Sequence, residues 1–173
     1  LTASTSYKDD VISPLFFKKN MNEIKRLCKN LSKKDKNSNN YQRARKQLAR
    51  LYKRIANLRK NFHYKTAYDI CSKYTIICIE DLNIKAMQRL WGRKINDLGF
   101  YSFVQILEYV AKKCGCEVRK ANKFFASSQT CSCCGNINKQ VKDLKIRQWQ
   151  CNVCNTIHDR DRNAAINILN ACV

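Results

Sequence analysis

The chain has 173 residues, and its 34 Lys and Arg side chains against 13 Asp and Glu give a formal net charge of +21. Hydrophobic residues make up 45% of the sequence, which excludes a disordered basic tail and fits one or two small folded domains. The longest apolar run, Ile76–Ile79, is far shorter than the roughly 20 residues that cross a membrane, so we expect no membrane partner. We therefore expect a cytoplasmic protein whose partner is a polyanion.

The first part of the chain is predicted to be mostly helical. After a short strand over Leu1–Ser6, apolar residues recur on one helical face over Phe17–Leu31. A polar loop, Ser32–Asn40, separates this helix from a second one over Tyr41–Ala67, whose apolar residues recur at steps of three and four. Because the loop is short, we expect an antiparallel helical hairpin; a coiled-coil dimer is the alternative, and the oligomeric state is left open.

This predicted hairpin carries most of the positive charge. From Lys18 to Lys65 there are 17 basic and two acidic residues, a net charge of +15. A solvated helix face is the ordinary interpretation of a charge run, but like charges this dense repel one another unless phosphates neutralise them. We therefore predict nucleic-acid contact by the basic side chains of the second helix, namely Arg43, Arg45, Lys46, Arg50, Lys53 and Arg54.

The rest of the chain alternates strands and helices. Tyr74–Ile79 is rich in apolar and β-branched residues, which is typical of a strand buried on both faces. We predict a helix over Leu98–Lys113, a strand over Glu117–Ala121 and a closing helix over Asn163–Cys172. This alternation predicts an α/β core.

Two Cys-x-x-Cys pairs indicate a metal site between the last predicted strand and the last helix. The pairs are 16 residues apart and consist of Cys131, Cys134, Cys151 and Cys154. This spacing is typical of a zinc ribbon with four thiolate ligands. Gly135 and Asn155 follow the pairs, and both residue types tolerate the left-handed backbone that such a turn requires. Cys133 offers an alternative ligand beside Cys134, although a spare thiol is the simpler interpretation.

Carboxylates occur at two further points where chemistry is expected. Glu80 follows the apolar strand directly, at the strand end where open α/β sheets place their active sites. Asp159 and Asp161 stand at the start of the last helix, where a single carboxylate is expected to cap the helix N-terminus. Taken together, these residues suggest carboxylates that converge on divalent cations, as phosphodiester hydrolysis with two Mg²⁺ ions requires.

Three segments resemble the TnpB-type proteins, the OrfB accessory transposases of insertion sequences, which are related to type V CRISPR effectors. Ile77–Asn83 resembles the second RuvC motif of this family, Phe124–Gly135 resembles the entry into its zinc ribbon, and His158–Ile168 resembles its third RuvC motif. The motifs occur in the family's order, and the resemblance covers nearly the whole chain.

The resemblance implies an RNase H-like (RuvC) core with an inserted basic helical hairpin and a zinc ribbon. It implies RNA-guided DNA cleavage with Mg²⁺, and therefore DNA and a guide RNA as partners. Glu80 and Asp161 match the catalytic, Mg²⁺-binding carboxylates of the second and third motifs, whereas Asp159 has no assigned role. Structural Zn²⁺ is implied at the four residues that match the family's ligands: Cys131, Cys134, Cys151 and Cys154.

One motif of the family is missing from the sequence. The first RuvC motif, Gly-x-Asp-x-Gly, supplies the third catalytic carboxylate, so we expect a core that is incomplete at its N-terminus and a chain that is inactive alone. A nucleic-acid-binding remnant or regulator without catalysis is the alternative, and a basic zinc-ribbon protein of ribosomal type is a third possibility. The expected division is residues 1–16 as a remnant of the RuvC strands, 17–71 as the basic hairpin, 72–126 as the RuvC-like core, 127–157 as the zinc ribbon and 158–173 as the C-terminal motif and helix.

Overall fold

A computed structural model describes residues 14–122 and 125–173 of the chain, without the side chains of residues 90, 91, 93 and 94. The described residues divide into two compact units. A helical unit contains residues 14–70 and 83–110, and a mixed unit contains residues 71–82 and 111–173. The strand predicted over Leu1–Ser6 lies outside the described residues. None of the described helices is both long and apolar enough to cross a membrane.

The helical unit is built from five helices, two of which end a few residues inside the mixed unit. They are α1 (Phe16–Lys19), α2 (Met21–Ser32), α3 (Asn39–Lys73), α4 (Ile84–Leu98) and α5 (Phe100–Cys114). Helix α1 begins where the buried Asp97 carboxylate accepts hydrogen bonds from the backbone N–H groups of Phe17 and Lys18, at 2.8 and 3.0 Å. These bonds satisfy N–H groups that have no partner within so short a helix.

Helices α2 and α3 share a buried apolar cluster, as their sequence spacing predicts. Ile24 and Leu27 of α2 pack with Leu51 and Ile55 of α3. The connecting loop is shorter than predicted, because α3 begins earlier. The Ser38 hydroxyl caps this helix by accepting a hydrogen bond from the N–H of Tyr41, the third residue of the helix. Helix α3 also continues beyond the predicted end, to Lys73.

Helix α4 is absent from the sequence prediction, which assigned no element to residues 83–97. Its helical pattern is interrupted at Gly92, whose φ of +40° and ψ of −110° lie outside the helical region. Gly99, with φ +62°, ends the helix in the left-handed conformation, so α5 begins at Phe100 rather than at the predicted Leu98. A Cβ atom at Gly99 would lie 3.2 Å from side-chain carbons of Arg59 and His63, so glycine also permits the close approach of this turn to α3.

The mixed unit contains a parallel pair of strands covered by the last helix. Strand β1 (Ile76–Glu80) pairs with β2 (Glu117–Ala121), and Glu80 lies opposite Ala121. Helix α6 (Arg160–Cys172) packs on them through a cluster of Cys78, Ala121 and Ile168. The prediction that the first strand is buried on both faces is wrong at Ile76, which is 38% exposed because the helix covers the strand further along, at Cys78.

A second strand pair follows in the segment that contains the two Cys-x-x-Cys pairs, called the cysteine-rich segment below. Strands β3 (Gln148–Gln150) and β4 (Ile157–Asp159) are antiparallel, and Trp149 lies opposite His158. Between them and the first cysteine pair lies a short 3₁₀ helix over Lys139–Lys142. The small core of this segment consists of Cys131, Val141, Trp149 and Cys151.

Candidate functional sites

The two Cys-x-x-Cys turns have the same backbone hydrogen bonds. In the first, the N–H of Cys131 donates to the carbonyl of Asn136 and the N–H of Gly135 donates to the carbonyl of Cys131. In the second, Cys151 and Asn155 make the equivalent bonds. Gly135 and Asn155 have φ values of +76° and +58°, which confirms the left-handed backbone predicted for both positions.

These turns bring four thiols together. The Sγ atoms of Cys131, Cys134, Cys151 and Cys154 all lie within 4.8 Å of one another. The Cys131–Cys154 and Cys134–Cys151 pairs are each separated by 3.6 Å. Two of the four side chains are buried, and the group could hold a metal ion.

The environment of the thiols differs between the two turns. Burial raises the pKa of the Cys131 thiol, although backbone hydrogen bonds from the same turn act in the opposite direction. In the second turn, hydrogen bonds from the N–H groups of Cys154 and Val153 lower the pKa of Cys151. Hydrogen bonding to Thr156 lowers the pKa of Cys154. The second turn therefore stabilises thiolates even before a cation is considered.

A second possible ligand set overlaps the first. Cys131, Cys133 and His158 also offer donor atoms within 4.8 Å of one another. His158 is buried, its Nε2 atom lies 3.1 Å from the Sγ of Cys131, and its ring packs on Trp149 with a centroid distance of 4.8 Å. Cys133 was predicted from the sequence as an alternative ligand, whereas His158 was not. The sequence offers no signal for this position, because alternation along β4 predicts that the apolar Ile157 rather than His158 faces inward, whereas Ile157 is 72% exposed in the structure.

Glu80 is connected to α6 through one serine. The hydroxyl of Ser127 donates a hydrogen bond to the Glu80 carboxylate at 2.8 Å. The carbonyl of Ser127 in turn accepts a hydrogen bond from the Nδ2 atom of Asn167 at 2.8 Å. Asn163 and Asn167, one turn apart on α6, both donate to the carbonyl of Thr130 as well. This role of the two asparagines was not predicted, and their i, i+4 spacing on one helix face is the signal that the sequence offers for it.

The two aspartates at the start of α6 have different roles in the structure. The Asp159 carboxylate accepts hydrogen bonds from the N–H groups of Asp161 and Arg162, at 3.1 and 2.9 Å. The capping interpretation is therefore confirmed for Asp159. The Asp161 side chain is exposed and pairs with Arg147 at 3.4 Å. Glu80 and Asp161 thus have separate partners, Ser127 and Arg147, and α6 is the element connected with both.

The predicted nucleic-acid-binding residues lie on the exposed surface of α3. All six are solvent-exposed: Arg43, Arg45, Lys46, Arg50, Lys53 and Arg54. Three of them line a shallow groove of about 500 Å³ together with Asn57, Leu58 and Asn61. This face is chemically suited to phosphate groups, because it offers cations and amide donors side by side.

Two family models match the chain. The OrfB_IS605 model, described as "Probable transposase", matches residues 1–90, and the model described as "Cas12f1-like, TNB domain" matches residues 100–168. The chain belongs to the OrfB_IS605 transposase family. The first match includes the basic helices and Glu80, and the second includes the four cysteines and Asp161.

Several curated relatives in this family carry related names. The chain is 31% identical over 173 residues to a "Putative RNA-guided DNA endonuclease" of Streptomyces pristinaespiralis, across 99% of this chain and 42% of that protein. It is 34% identical over 158 residues to "TnpB-like protein L79" of Acanthamoeba polyphaga mimivirus, across 86% of this chain and 28% of that protein. The chain therefore spans less than half the length of these relatives.

Two solved structures share the fold of this chain. The chain superposes with a TM-score of 0.59 on a protein in the cryo-EM structure of the Cas12f1–sgRNA–target DNA complex, with 22% identity over 95% of this chain and 44% of that one. The cryo-EM structure of a CRISPR–Cas12f ternary complex gives the same TM-score with 23% identity, over 88% of this chain and 32% of that one. The mixed helix and strand fold expected from the sequence is thereby confirmed.

Proposed function

We propose that this chain carries metal-binding and nucleic-acid-binding parts of an RNA-guided DNA endonuclease, with DNA and a guide RNA as partners of the whole protein. The names of the relatives and the fold shared with Cas12f1 support this function. In this proposal β1, β2 and α6 belong to an RNase H-like (RuvC) core, α2 and α3 form its inserted basic hairpin, and residues 127–157 form a zinc ribbon.

The observation that carries the proposal is the hydrogen-bonded connection between Glu80 and α6. Glu80 ends β1 and accepts a hydrogen bond from Ser127, whose carbonyl is held by Asn167 of α6. Asp161 lies in the first turn of that same helix. Two carboxylates that are far apart in the sequence are thus carried by elements that share one hydrogen-bond network.

Glu80 and Asp161 are suited to Mg²⁺ because both offer exposed, hard oxygen ligands. When bound, Mg²⁺ lowers the pKa of a water nucleophile and stabilises charge on the leaving oxygen of a phosphodiester. Ser127 orients the Glu80 carboxylate. Arg147 pairs with one oxygen of the Asp161 carboxylate at 3.4 Å, and a cation that binds this oxygen would displace it.

The four cysteines are suited to Zn²⁺. Ligands at about 2.3 Å from a tetrahedral zinc ion lie about 3.8 Å from one another. The two 3.6 Å separations between thiols are close to this distance, and an all-thiolate set is typical of structural zinc. We propose that Zn²⁺ holds the two turns together, with Cys131, Cys134, Cys151 and Cys154 as ligands.

A second function, nucleic-acid binding without cleavage, is favoured by one observation. The basic face of α3 is exposed, whereas Asp161 is already paired with Arg147. The two functions differ in whether Glu80 and Asp161 bind a cation together. A Mn²⁺ titration of the chain, followed by electron paramagnetic resonance, separates them, because Mn²⁺ accepts the same oxygen ligands as Mg²⁺.

In this titration, Glu80→Gln and Asp161→Asn should each weaken Mn²⁺ binding by at least about tenfold, the factor that corresponds to 1.4 kcal/mol. Asp81→Asn and Asp159→Asn are the matched controls. Each removes one neighbouring negative charge, and asparagine caps a helix as well as aspartate does. Equal losses in all four variants would indicate only a general effect of negative charge and would reject the proposed pair.

A further inference from the structure

The helical unit contains a cleft that none of the sites described above uses. Its volume is about 740 Å³, and it lies among α3, both ends of α4 and the first two thirds of α5. Four aromatic residues line it: Tyr64, Phe100, Tyr101 and Tyr109. Its charged lining residues are Arg59 and Lys60, and no acidic side chain is among the lining residues. The cleft is therefore aromatic and cationic, and its volume is in the range of small-molecule sites.

The tyrosines of α5 form an exposed row along the cleft. Tyr101, Gln105 and Tyr109 follow at intervals of four residues and so lie on one face of the helix. Tyr101 is 63% exposed and Tyr109 is 48% exposed. The Nε2 of Gln105 donates a hydrogen bond to the Tyr101 hydroxyl at 3.0 Å, which restrains the ring. Large apolar ring faces thus remain in solvent although their orientation is restrained.

Helix α3 supplies the opposite wall and the charge. The Tyr64 ring meets the Tyr109 ring edge to face, with a centroid distance of 6.3 Å and an interplanar angle of 87°. The Nζ atom of Lys60 lies 6.0 Å from the centroid of the Tyr64 ring. The exposed ammonium group of Lys60 therefore lies beside the aromatic walls, where it can bind an anionic group of a flat ligand.

Hydrogen bonds join two of the helices that line the cleft. The Nε2 atom of the buried His63 donates a hydrogen bond to the carbonyl of Leu98 at 3.0 Å. The guanidinium of Arg59 donates to the carbonyl of Asn96 at 2.8 Å. Both bonds tie α3 to the last turn of α4, at the close approach that Gly99 permits. Such bonds hold two walls of the cleft together before a ligand binds, which lowers the entropic cost of binding.

From this combination we propose that the cleft binds an unpaired nucleotide of a single-stranded nucleic acid. The base stacks on the exposed tyrosine faces of α5, and Lys60 contacts an adjacent phosphate. Exposed aromatic faces beside cations are the arrangement by which proteins bind single strands, because every base has a flat face and every nucleotide a negative charge. This inference goes beyond the carboxylates and the α3 groove, and it rests on the proposed function only in taking nucleic acid as the ligand.

The test compares strands that have the same backbone but differ in their bases. Binding of the 173-residue chain to a thymidine decamer and to an abasic decamer of the same length is measured by fluorescence anisotropy. Tyr101→Ala should weaken binding of the thymidine decamer about tenfold, within the range of about 5- to 150-fold expected for the loss of one stacked base. It should change binding of the abasic decamer less than about twofold. Tyr101→Phe, which keeps the ring, should bind both strands as the wild type does.

Two further variants complete the design. Tyr68→Ala is the matched control, because Tyr68 is an exposed tyrosine of α3 that does not line the cleft, and it should leave both affinities unchanged. Lys60→Gln should weaken binding of both decamers and reduce the slope of the salt dependence by about one. A uridine ribonucleotide decamer, tested in parallel, determines whether the cleft prefers RNA or DNA.

The outcomes distinguish this proposal from the proposed function. If Tyr101→Ala affects the thymidine and abasic decamers equally, or no more than Tyr68→Ala does, the cleft proposal is wrong while phosphate binding by α3 stands. If the wild-type chain binds neither strand at low salt, the cleft proposal is wrong, whereas the proposed cation site of Glu80 and Asp161 is still decided by the Mn²⁺ titration. A loss confined to base-bearing strands, restored by Tyr101→Phe, supports the cleft.

Discussion

At the scale of single residues, His158 has the most specific role that the structure adds. Its Nε2 atom is 3.1 Å from the Sγ of Cys131, and Trp149 packs on its ring. A hydrogen bond from an imidazole N–H to a bound thiolate orients the ligand and stabilises its charge. His158 therefore acts as a positioning residue for the proposed zinc site.

We predict that His158→Phe lowers zinc affinity about 10- to 100-fold, because phenylalanine keeps the ring but lacks the N–H group. Competition with a chromophoric chelator measures the affinity. His158→Gln, which retains a donor, should lose less. Cys133→Ser should bind zinc as the wild type does if the four other cysteines are the ligands. Wild-type affinity in His158→Phe would contradict this role.

Asp159 has a structural role that can be separated from its charge. Its carboxylate accepts hydrogen bonds from two N–H groups in the first turn of α6. Asp159→Ala should therefore lower the free energy of unfolding by about 1 kcal/mol, measured by urea denaturation. Asp159→Asn should remain close to the wild type, since asparagine is an equally good cap. A large loss in both variants would mean that the charge, rather than the cap, is what stabilises the helix.

The residues found from the sequence are those whose role depends on local spacing. The two Cys-x-x-Cys turns and the left-handed backbone of Gly135 and Asn155 are determined within a few residues, so the sequence was sufficient to predict them, while zinc binding by the cysteines stays a proposal. His158 and Ser127 were missed because their contacts join positions 27 and 47 residues apart, to Cys131 and Glu80. No local pattern predicts which polar side chain will meet a thiol or a carboxylate at that distance.

At the scale of elements, the cysteine-rich segment has very little apolar core of its own. Two of the four buried residues in its core, Cys131 and Cys151, are proposed zinc ligands. Cross-linking by the metal should therefore supply much of the folding free energy of this segment. Helices α2 and α3, by contrast, are held by Ile24, Leu27, Leu51 and Ile55 and contain no proposed ligand.

We therefore predict that a strong chelator unfolds residues 130–155 while α2 and α3 stay folded. Hydrogen exchange followed by mass spectrometry measures both regions in one sample. Amide protection should fall in the cysteine-rich segment and stay unchanged in the two helices, and added Zn²⁺ should restore it. Unchanged protection of residues 130–155 after complete metal removal would rule out the four-thiolate site.

The helices and strands also show where the spacing of apolar residues is sufficient to predict an element and its burial, and where it is not. The apolar face of α3 was predictable because seven apolar residues recur at helical spacing. Two of these seven, Leu51 and Ile55, are buried in the structure. Helix α4 was not predicted, although apolar residues recur along it at helical spacing; Gly92 in its interior favours a break, and the backbone there is non-helical. The burial of β1 was overestimated at Ile76 because burial depends on where α6 crosses the strand, which the composition of the strand does not encode.

At the scale of the whole molecule, the net charge of +21 predicts a strong dependence of nucleic-acid affinity on salt. Contact with six phosphates of duplex DNA gives a slope of log affinity against log salt of about −5. Replacing Arg50, Lys53 and Arg54 together by Gln should reduce the magnitude of this slope by about 2.7, because three fewer counterions are released.

The matched control for this measurement replaces three lysines of the cysteine-rich segment, Lys139, Lys142 and Lys145, by Gln. It removes the same charge from a different part of the chain. Titrations at several salt concentrations compare the two triple variants. Equal reductions of the slope would mean that the α3 face has no specific part in binding, and a wild-type slope near zero would contradict nucleic-acid contact altogether.

Glu80 and Asp161, which lie 81 positions apart in the sequence, are proposed to bind one divalent cation together. A crystal structure of the zinc-loaded chain grown with Mn²⁺ tests it most directly, because the anomalous scattering of manganese locates the ion. We predict a Mn²⁺ ion with carboxylate oxygens of both residues at about 2.1 Å, the distance of Mg²⁺ ligands, and Asp161 released from Arg147. An ion bound by neither carboxylate, with Asp161 still paired to Arg147, would contradict the account.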